Sequence, residues 1–108
     1  FQGFGHTVTD ADGRYRFRTI RPVPYPGRTP HIHAAVIQEG TRPFVTQIYV
    51  AGEPLNLRDG LFMRVPEALR PLLLADFVPA DDPVATLSAS FDFVLSPVLA
   101  GLFEANTA

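Results

Sequence analysis

A short stretch of the sequence, "YPGRTPHIH" at residues 25–33, brings side chains of three chemical types close together. It contains the phenol of Tyr25, the guanidinium of Arg28 and the imidazoles of His31 and His33. Imidazole nitrogens and phenolate oxygens bind metal ions, whereas a guanidinium binds anions. Prolines at positions 26 and 30 stiffen the stretch and limit how far Tyr25 can lie from the histidines. The combination favours a site of mixed oxygen and nitrogen ligands, suited to ferric iron or another borderline-to-hard metal, beside a positive charge.

Each of these residues also has an ordinary interpretation when it is taken alone. A His-x-His pair on a strand can face solvent, a tyrosine can pack with its hydroxyl bonded, and an arginine can be a surface charge. Gln47 alone is a neutral strand position, and His6 is expected at the surface or at a strand edge. It is the conjunction of residue types in one turn that favours a metal site.

The elements that must position these residues are predicted from period-two alternation and from the placement of proline. Strands are predicted at residues 14–20, 31–38, 44–50 and 86–95, and helix mainly at 66–77. Pro66 suits a first helical turn, while Pro71 shortens or kinks the helix. The pattern predicts an all-β fold, a β-sandwich of mostly antiparallel strands with one short helix.

The second and third predicted strands are expected to form a hairpin across the turn "EGTRP". Side chains alternate between the two faces of a strand, so His31 and His33 share one face of the first arm. By the same rule Gln47 and Tyr49 share a face of the second arm. The hairpin is therefore expected to carry the histidine pair.

Composition limits the classes of function. The 108 residues form a single domain with a net charge of −2 and no block of Lys or Arg, which argues against nucleic-acid or membrane partners. No apolar run approaches the roughly 20 residues of a membrane span, and we expect a cytoplasmic protein. The absence of cysteine leaves His, Tyr and carboxylates as metal ligands. Because the chain opens at Phe1, we expect it to lack an N-terminal portion of a longer protein.

Two longer segments give the sequence a family resemblance. "TDADGRYRFRTIRPVPYPGRTPHIH", followed by "TQIYV", resembles the intradiol ring-cleavage dioxygenases, and most of all their protocatechuate 3,4-dioxygenase branch. The resemblance is densest at residues 9–50 and continues to "FDFVL" near the carboxyl end. It implies that residues 1–108 are the carboxy-terminal, metal-bearing portion of such a sandwich domain.

The resemblance also implies a role for each residue of the turn. Tyr25, His31 and His33 match the ligands of a non-haem Fe(III), with Tyr25 as the axial tyrosinate and a base. Arg28 matches the arginine that stabilises negative charge developing on the substrate, and Gln47 matches a glutamine that helps place the reacting ring. The implied reaction is cleavage of a catechol-type aromatic by O2, between the two hydroxyl-bearing carbons, to a muconate-type diacid.

The family uses a second tyrosine ligand, which the resemblance places upstream of Phe1. Neither Tyr15 nor Tyr49 is assigned as its replacement. An oligomer is expected, and the ring substituents of the substrate stay open. Two alternatives stay open as well. One is a non-catalytic sandwich subunit or binding module without iron. The other is a metal hydrolase that combines the two histidines with a carboxylate, although no acidic residue lies near the turn in sequence.

Overall fold

The computed structural model describes residues 5–20, 22–24, 26–81 and 86–103. Two short sheets and several short helices follow one another along this part of the chain. In order they are β1 (His31–Val36), β2 (Phe44–Val50), a first 3₁₀ helix (Pro54–Arg58), α1 (Gly60–Met63), a second 3₁₀ helix (Glu67–Leu73), β3 (Leu74–Ala75), β4 (Val78–Pro79), β5 (Leu87–Ser88) and α2 (Pro97–Phe103). The strands pair as β1-β2-β3 and as β4-β5.

Strands β1 and β2 form the predicted antiparallel hairpin. Their register runs from His31 opposite Tyr49 to Val36 opposite Phe44. Aromatic and β-branched residues dominate β2, as is typical of a strand that packs against a core. In the connecting turn Gly40 has φ of 80°, a conformation that glycine adopts without steric cost. The prediction of a strand at 44–50 is confirmed, and the strand predicted at 31–38 ends two residues early.

A helical connection joins β2 to β3. Strand β3 lies parallel to β2, with Tyr49 opposite Leu74 and Val50 opposite Ala75. Parallel neighbours need a crossover connection, and residues 51–73 supply it with both 3₁₀ helices and α1. This connection packs beside β2 and brings polar residues to the end of the hairpin that carries the histidines.

The hydrophobic core lies between β2, the helical connection and α2. Tyr49 and Phe62 meet edge to face, with ring centroids 4.9 Å apart at 71°. The guanidinium of Arg70 lies 5.6 Å from the Phe62 ring centre, and its Nε donates to the Val65 carbonyl oxygen at 3.0 Å. The buried residues of this core are Tyr49, Leu61, Phe62, Val65, Leu73, Leu99 and Phe103.

Two of the predicted strands are wrong or much shorter than predicted. Residues 14–20 form no strand, and Phe17 is 52% exposed. Residues 86–95 contain only β5, at Leu87–Ser88. The two segments nevertheless meet through side chains, because the Tyr15 and Phe93 rings lie 5.4 Å apart and the Tyr15 hydroxyl donates to the Phe91 carbonyl oxygen at 2.5 Å. Alternation predicts which side chains share a face, whereas a strand also requires a neighbour's backbone.

The helix prediction needs a similar correction. The helix at 66–77 is a 3₁₀ helix that ends at Leu73, with Pro71 inside it, and β3 follows at once. An α-helical turn there would bring the Pro71 ring against the carbonyl of Glu67. The single predicted helix is also too few, since α1, α2 and the first 3₁₀ helix are present. The described chain thus has small sheets of mostly antiparallel strands and several short helices, which is compatible with a β-rich fold. None of its helices has the length and apolar character needed to cross a membrane.

Helix α2 provides a direct test of this packing. Leu99 is 1% exposed, whereas its neighbour Val98 is 56% exposed. Leu99→Ala should therefore lower the free energy of unfolding by about 2–4 kcal/mol, because it leaves a cavity between α2 and β2. Val98→Ala is the matched control and should change that free energy by less than about 0.5 kcal/mol. Urea denaturation measures both, and equal effects would mean that α2 does not pack on the core.

Candidate metal and substrate site

The β1–β2 register gathers three predicted site residues, His31, His33 and Gln47, on one face of the sheet together with Tyr49. His31 lies opposite Tyr49, and His33 lies opposite Gln47. Directly opposite residues of an antiparallel pair point to the same side, so these side chains are neighbours. The His31 and Tyr49 rings lie 6.3 Å apart. The face predicted for the histidines and the face predicted for Gln47 are therefore the same surface.

The turn that precedes β1 is tied to the helical connection. Gly27 has φ of 82°, so the chain reverses there in a conformation that other residues rarely adopt. Beyond it Thr29 is buried: its N–H donates to Asp59 Oδ2 at 2.9 Å, and its hydroxyl donates to Asn56 Oδ1 at 2.7 Å. Asn56 Nδ2 in turn donates to the Val50 carbonyl oxygen at the end of β2 at 2.9 Å. The turn is thus anchored by side chains about 30 residues away.

Arg28 points into the molecule, where it contacts Asp59 and Gln47. Its Nε donates to Asp59 Oδ2 at 2.8 Å, and its Nη2 donates to Gln47 Oε1 at 2.6 Å. Only 16% of the Arg28 side chain is exposed, and the Asp59 side chain is fully buried. The predicted charge-stabilising arginine and the predicted pocket glutamine are therefore in direct contact.

The amide of Gln47 has a defined orientation. Its Oε1 accepts hydrogen bonds from Arg28 Nη2 and from the Tyr49 hydroxyl, the latter at 2.9 Å. A guanidinium can only donate, so the amide oxygen and not the nitrogen must face Arg28. The Gln47 Nε2 is buried and has no hydrogen-bond partner among the described residues. A buried donor without a partner is costly, which makes this N–H suited to a bound ligand.

His31 has the tautomer that a metal ligand requires. Its Nδ1 lies 2.8 Å from the Thr29 carbonyl oxygen, which can only accept, so Nδ1 carries the proton. The Nε2 atom therefore has the lone pair, in the arrangement typical of metal-binding histidines. Burial lowers the pKa of His31, and the charge of Arg28 lowers it further, against an opposing effect of the Thr29 hydrogen bond. The neutral imidazole is thus favoured.

The remaining predicted ligands are described in part. His33 is exposed on the same face as His31, whereas Tyr25 lies outside the described residues. In the part of the chain that is described, no three His, Cys, Asp or Glu side chains form a group that could hold a metal. The carboxylate that a hydrolase site would add to the histidines is thus not found there. Whether Tyr25 completes the ligand set stays a prediction.

The other two tyrosines have different surroundings. Tyr15 donates its hydroxyl to the Phe91 carbonyl, and burial together with the charge of Asp92 raises its pKa, which disfavours a tyrosinate. Tyr49 is fully buried and donates to Gln47. These surroundings agree with assigning neither of them as the second tyrosine ligand.

Sequence reasoning missed Asp59 and Asn56. Each is buried, and each binds a residue of the turn. The signal for Asp59 was local: it stands three residues before Phe62, whose N–H donates to Asp59 Oδ1 at 2.9 Å, as in a helix N-cap. Its contact with Arg28 joins residues 31 positions apart and has no local signal.

Three hydrogen bonds and the charge of Arg28 act on the Asp59 carboxyl. Burial alone would raise its pKa, but the hydrogen bonds from Arg28, Phe62 and Thr29 outweigh burial and hold the pKa below its usual range. The carboxylate is therefore ionised at neutral pH and binds three donors. Beside it, a shallow cavity of about 200 Å³ is lined by Pro24, Gly27, Arg28, Thr29, Leu55 and Arg58.

Comparisons with known proteins agree on one family. A family model described as Dioxygenase matches residues 1–97. The chain is 41% identical to the protocatechuate 3,4-dioxygenase beta chain of Burkholderia cepacia, over 88% of this chain and 44% of that protein. It is 34% identical to hydroxyquinol 1,2-dioxygenase of Rhodococcus opacus, over 88% and 40% of the two chains.

A solved structure is similar as well. It is the dioxygenase domain of a dioxygenase carbohydrate-binding protein fusion from Streptomyces sp. SirexAA-E, with a TM-score of 0.63 and 40% identity. The similarity covers 79% of this chain and 49% of that one. The chain thus spans less than half the length of the relatives it matches.

The buried carboxylate predicts a pH-dependent stability difference. Asp59→Asn leaves one acceptor oxygen for three donors and should lower the free energy of unfolding by about 1–3 kcal/mol at pH 7. Because the folded-state pKa of Asp59 is depressed, its ionisation stabilises the protein fully above the unfolded-state pKa of about 4 and less as pH falls through the folded-state value. The difference in free energy of unfolding between wild type and Asp59→Asn should therefore become smaller below about pH 5.

Urea denaturation from pH 7 to pH 3 measures this difference in free energy of unfolding. Asp12→Asn, at an exposed turn position, is the control and should leave the free energy of unfolding nearly unchanged. A gap for Asp59→Asn that widens on acidification contradicts the depressed pKa.

Proposed function

The chain belongs to the intradiol ring-cleavage dioxygenase family, and from this we propose that it supplies the Fe(III)-dependent site for O2 cleavage of a catechol-type aromatic. The ring opens between its two hydroxyl-bearing carbons, and both atoms of O2 enter the muconate-type diacid. One observation carries the proposal: Arg28 contacts Gln47 on the sheet face that also holds His31 and His33. That face combines metal ligands, a cation and a buried amide donor.

The ligand set suits ferric iron. The Thr29 carbonyl oxygen accepts from His31 Nδ1, so Nε2 carries the lone pair, and His33 lies on the same face. With Tyr25 they make a mixed set of nitrogen and oxygen donors, of the kind that binds a borderline-to-hard metal. When bound, the iron supplies Lewis acidity and a template for the two catechol oxygens.

The residues of this chain supply the rest of the chemistry. Tyr25 accepts the proton from a substrate hydroxyl, which leaves the ring electron-rich. The guanidinium of Arg28 stabilises the negative charge that develops on the ring as oxygen attacks, in a setting where little solvent competes. Gln47 Nε2, a buried donor, orients the ring by a hydrogen bond.

The substrate is proposed only as a class. The names of the relatives include protocatechuate, hydroxyquinol and catechol, which are all aromatic rings with adjacent hydroxyl groups. The fold proposed for the complete domain is a β-sandwich, supported by the two sheets and by the similar dioxygenase domain from Streptomyces. An oligomer and a cytoplasmic location stay predictions.

The main alternative is a non-catalytic sandwich subunit or binding module. The scaffold of such a module requires the sheets alone. It does not require the buried Gln47 Nε2 donor without a partner, or a histidine whose proton is held on Nδ1. The hydrolase alternative requires a carboxylate beside the histidines, and Asp59 is already bound by three donors. Both observations favour the dioxygenase.

Iron binding is tested by colour and metal content. Loaded with iron, the purified protein should be wine-red, from charge transfer between tyrosinate and Fe(III). His33→Ala removes a ligand and should abolish the visible absorption, the bound iron and catechol cleavage. His6→Ala, at an exposed position, is the matched control and should retain all three. A colourless wild type that binds zinc tightly and iron weakly would favour the hydrolase.

The role of Arg28 in turnover is tested by comparison with Arg58, which lines the same cavity. Arg28→Ala should lower kcat by about a hundredfold or more, because the developing charge loses its partner. It should also destabilise the fold, since the buried Asp59 is left without a counter-charge. Arg58→Ala, at an exposed position beside the same cavity, should keep near-wild-type kcat. Cleavage is followed by the absorbance of the ring-opened product, and full activity of Arg28→Ala would rule out the role given to Arg28.

A further inference from the structure

Asp59 makes more hydrogen bonds than a helix cap needs. As the N-cap of α1 it uses one oxygen, Oδ1, which accepts from the Phe62 N–H at 2.9 Å. Its second oxygen, Oδ2, accepts from Arg28 Nε at 2.8 Å and from Thr29 N–H at 2.9 Å. These donors lie 31 and 30 positions earlier in the chain. Capping of α1 does not account for the two hydrogen bonds that Oδ2 accepts.

We propose that Asp59 is a positioning residue of the site: it holds the Arg28 guanidinium in the direction that reaches Gln47, and so fixes where the positive charge meets the substrate. This inference rests on the proposed function, because it concerns the same reaction. It assigns to Asp59 a role in turnover that is separate from capping α1.

The geometry of the guanidinium supports this role. The group is planar, and it is bound at Nε by Asp59 and at Nη2 by Gln47. Both partners are fully buried, and Gln47 is itself held by the Tyr49 hydroxyl. Two bonds from one rigid plane to two fixed partners define both the position and the tilt of that plane.

Without Asp59 the guanidinium would keep one of these two bonds. The Arg28 side chain has several rotatable bonds, and its freedom returns when an anchor is removed. A displacement of about 1 Å at a reacting centre costs about a hundredfold in rate. The position of Arg28 should therefore matter as much as its presence.

The charge of Asp59 acts in the opposite direction. A carboxylate beside Arg28 partly offsets the positive charge that would stabilise the reacting ring. If charge alone decided the rate, removal of the carboxylate would raise kcat. If position decides it, removal should lower kcat, and this difference in sign makes the proposal testable.

Two substitutions separate the cap from the positioning contact. Asp59→Ser keeps a hydroxyl that can cap α1, but serine is too short to bridge to Arg28 as well. Asp59→Asn keeps one acceptor oxygen, which should turn toward the two donors Arg28 and Thr29 and leave the Phe62 N–H unbound. The serine variant therefore loses the positioning contact, and the asparagine variant loses the cap.

We expect the two variants to differ in turnover but not in iron content. Asp59→Ser should lower kcat by about tenfold or more, whereas Asp59→Asn should stay within about threefold of wild type. In an Arg28→Ala background Asp59→Ser should have little further effect on kcat, because the residue acts through Arg28. Wild-type kcat in Asp59→Ser, or the same loss of kcat in both backgrounds, would overturn the proposal.

A second measurement does not depend on activity. The Nε–H resonance of Arg28 can be assigned in heteronuclear NMR spectra by its loss in Arg28→Ala. It should exchange slowly with water in wild type and in Asp59→Asn, and rapidly in Asp59→Ser. If wild type cleaves no catechol-type ring, the proposed function fails, and this resonance still decides whether Asp59 holds Arg28. A resonance that Asp59→Ser leaves unchanged would overturn the positioning role.

Discussion

The site depends on one buried carboxylate. Asp59 accepts hydrogen bonds from Arg28 and Thr29 in the turn before β1, and from Phe62 in α1. A buried charge that loses its partners is strongly destabilising, so these segments are held together by the cost of separating them. If any one donor is removed, only two hydrogen bonds remain to stabilise the buried charge of Asp59. The turn, although irregular, is thus anchored at Arg28 and Thr29.

Thr29 links this carboxylate to His31. Its N–H donates to Asp59, and its carbonyl oxygen accepts from His31 Nδ1. Once Thr29 is held by Asp59, its carbonyl offers His31 an acceptor that selects the tautomer with an unprotonated Nε2. The contacts that hold Arg28 therefore also help to set the tautomer of His31, a proposed metal ligand.

Two kinds of constraint meet at Gln47. The backbone ladder of the hairpin places Gln47 opposite His33, and the side-chain network brings Arg28 to its Oε1. The ladder decides which side chains share a face with the histidines, whereas the network decides where the positive charge lies. The proposed metal ligands and the proposed charge-stabilising arginine are thus positioned by different interactions.

The sequence by itself determined the local features: the hairpin, the face of His31 and His33, and the stiff turn. Alternating hydrophobicity and the placement of proline are local signals of secondary structure. A family resemblance assigns a role to each matching position separately. Tertiary structure decided the features that depend on contacts between residues far apart in the sequence. Residues 14–20 have strand alternation but no ladder, because pairing requires another segment's backbone. Asp59 meets Arg28 across 31 positions because the helical connection folds back beside β2, and no local pattern encodes that contact.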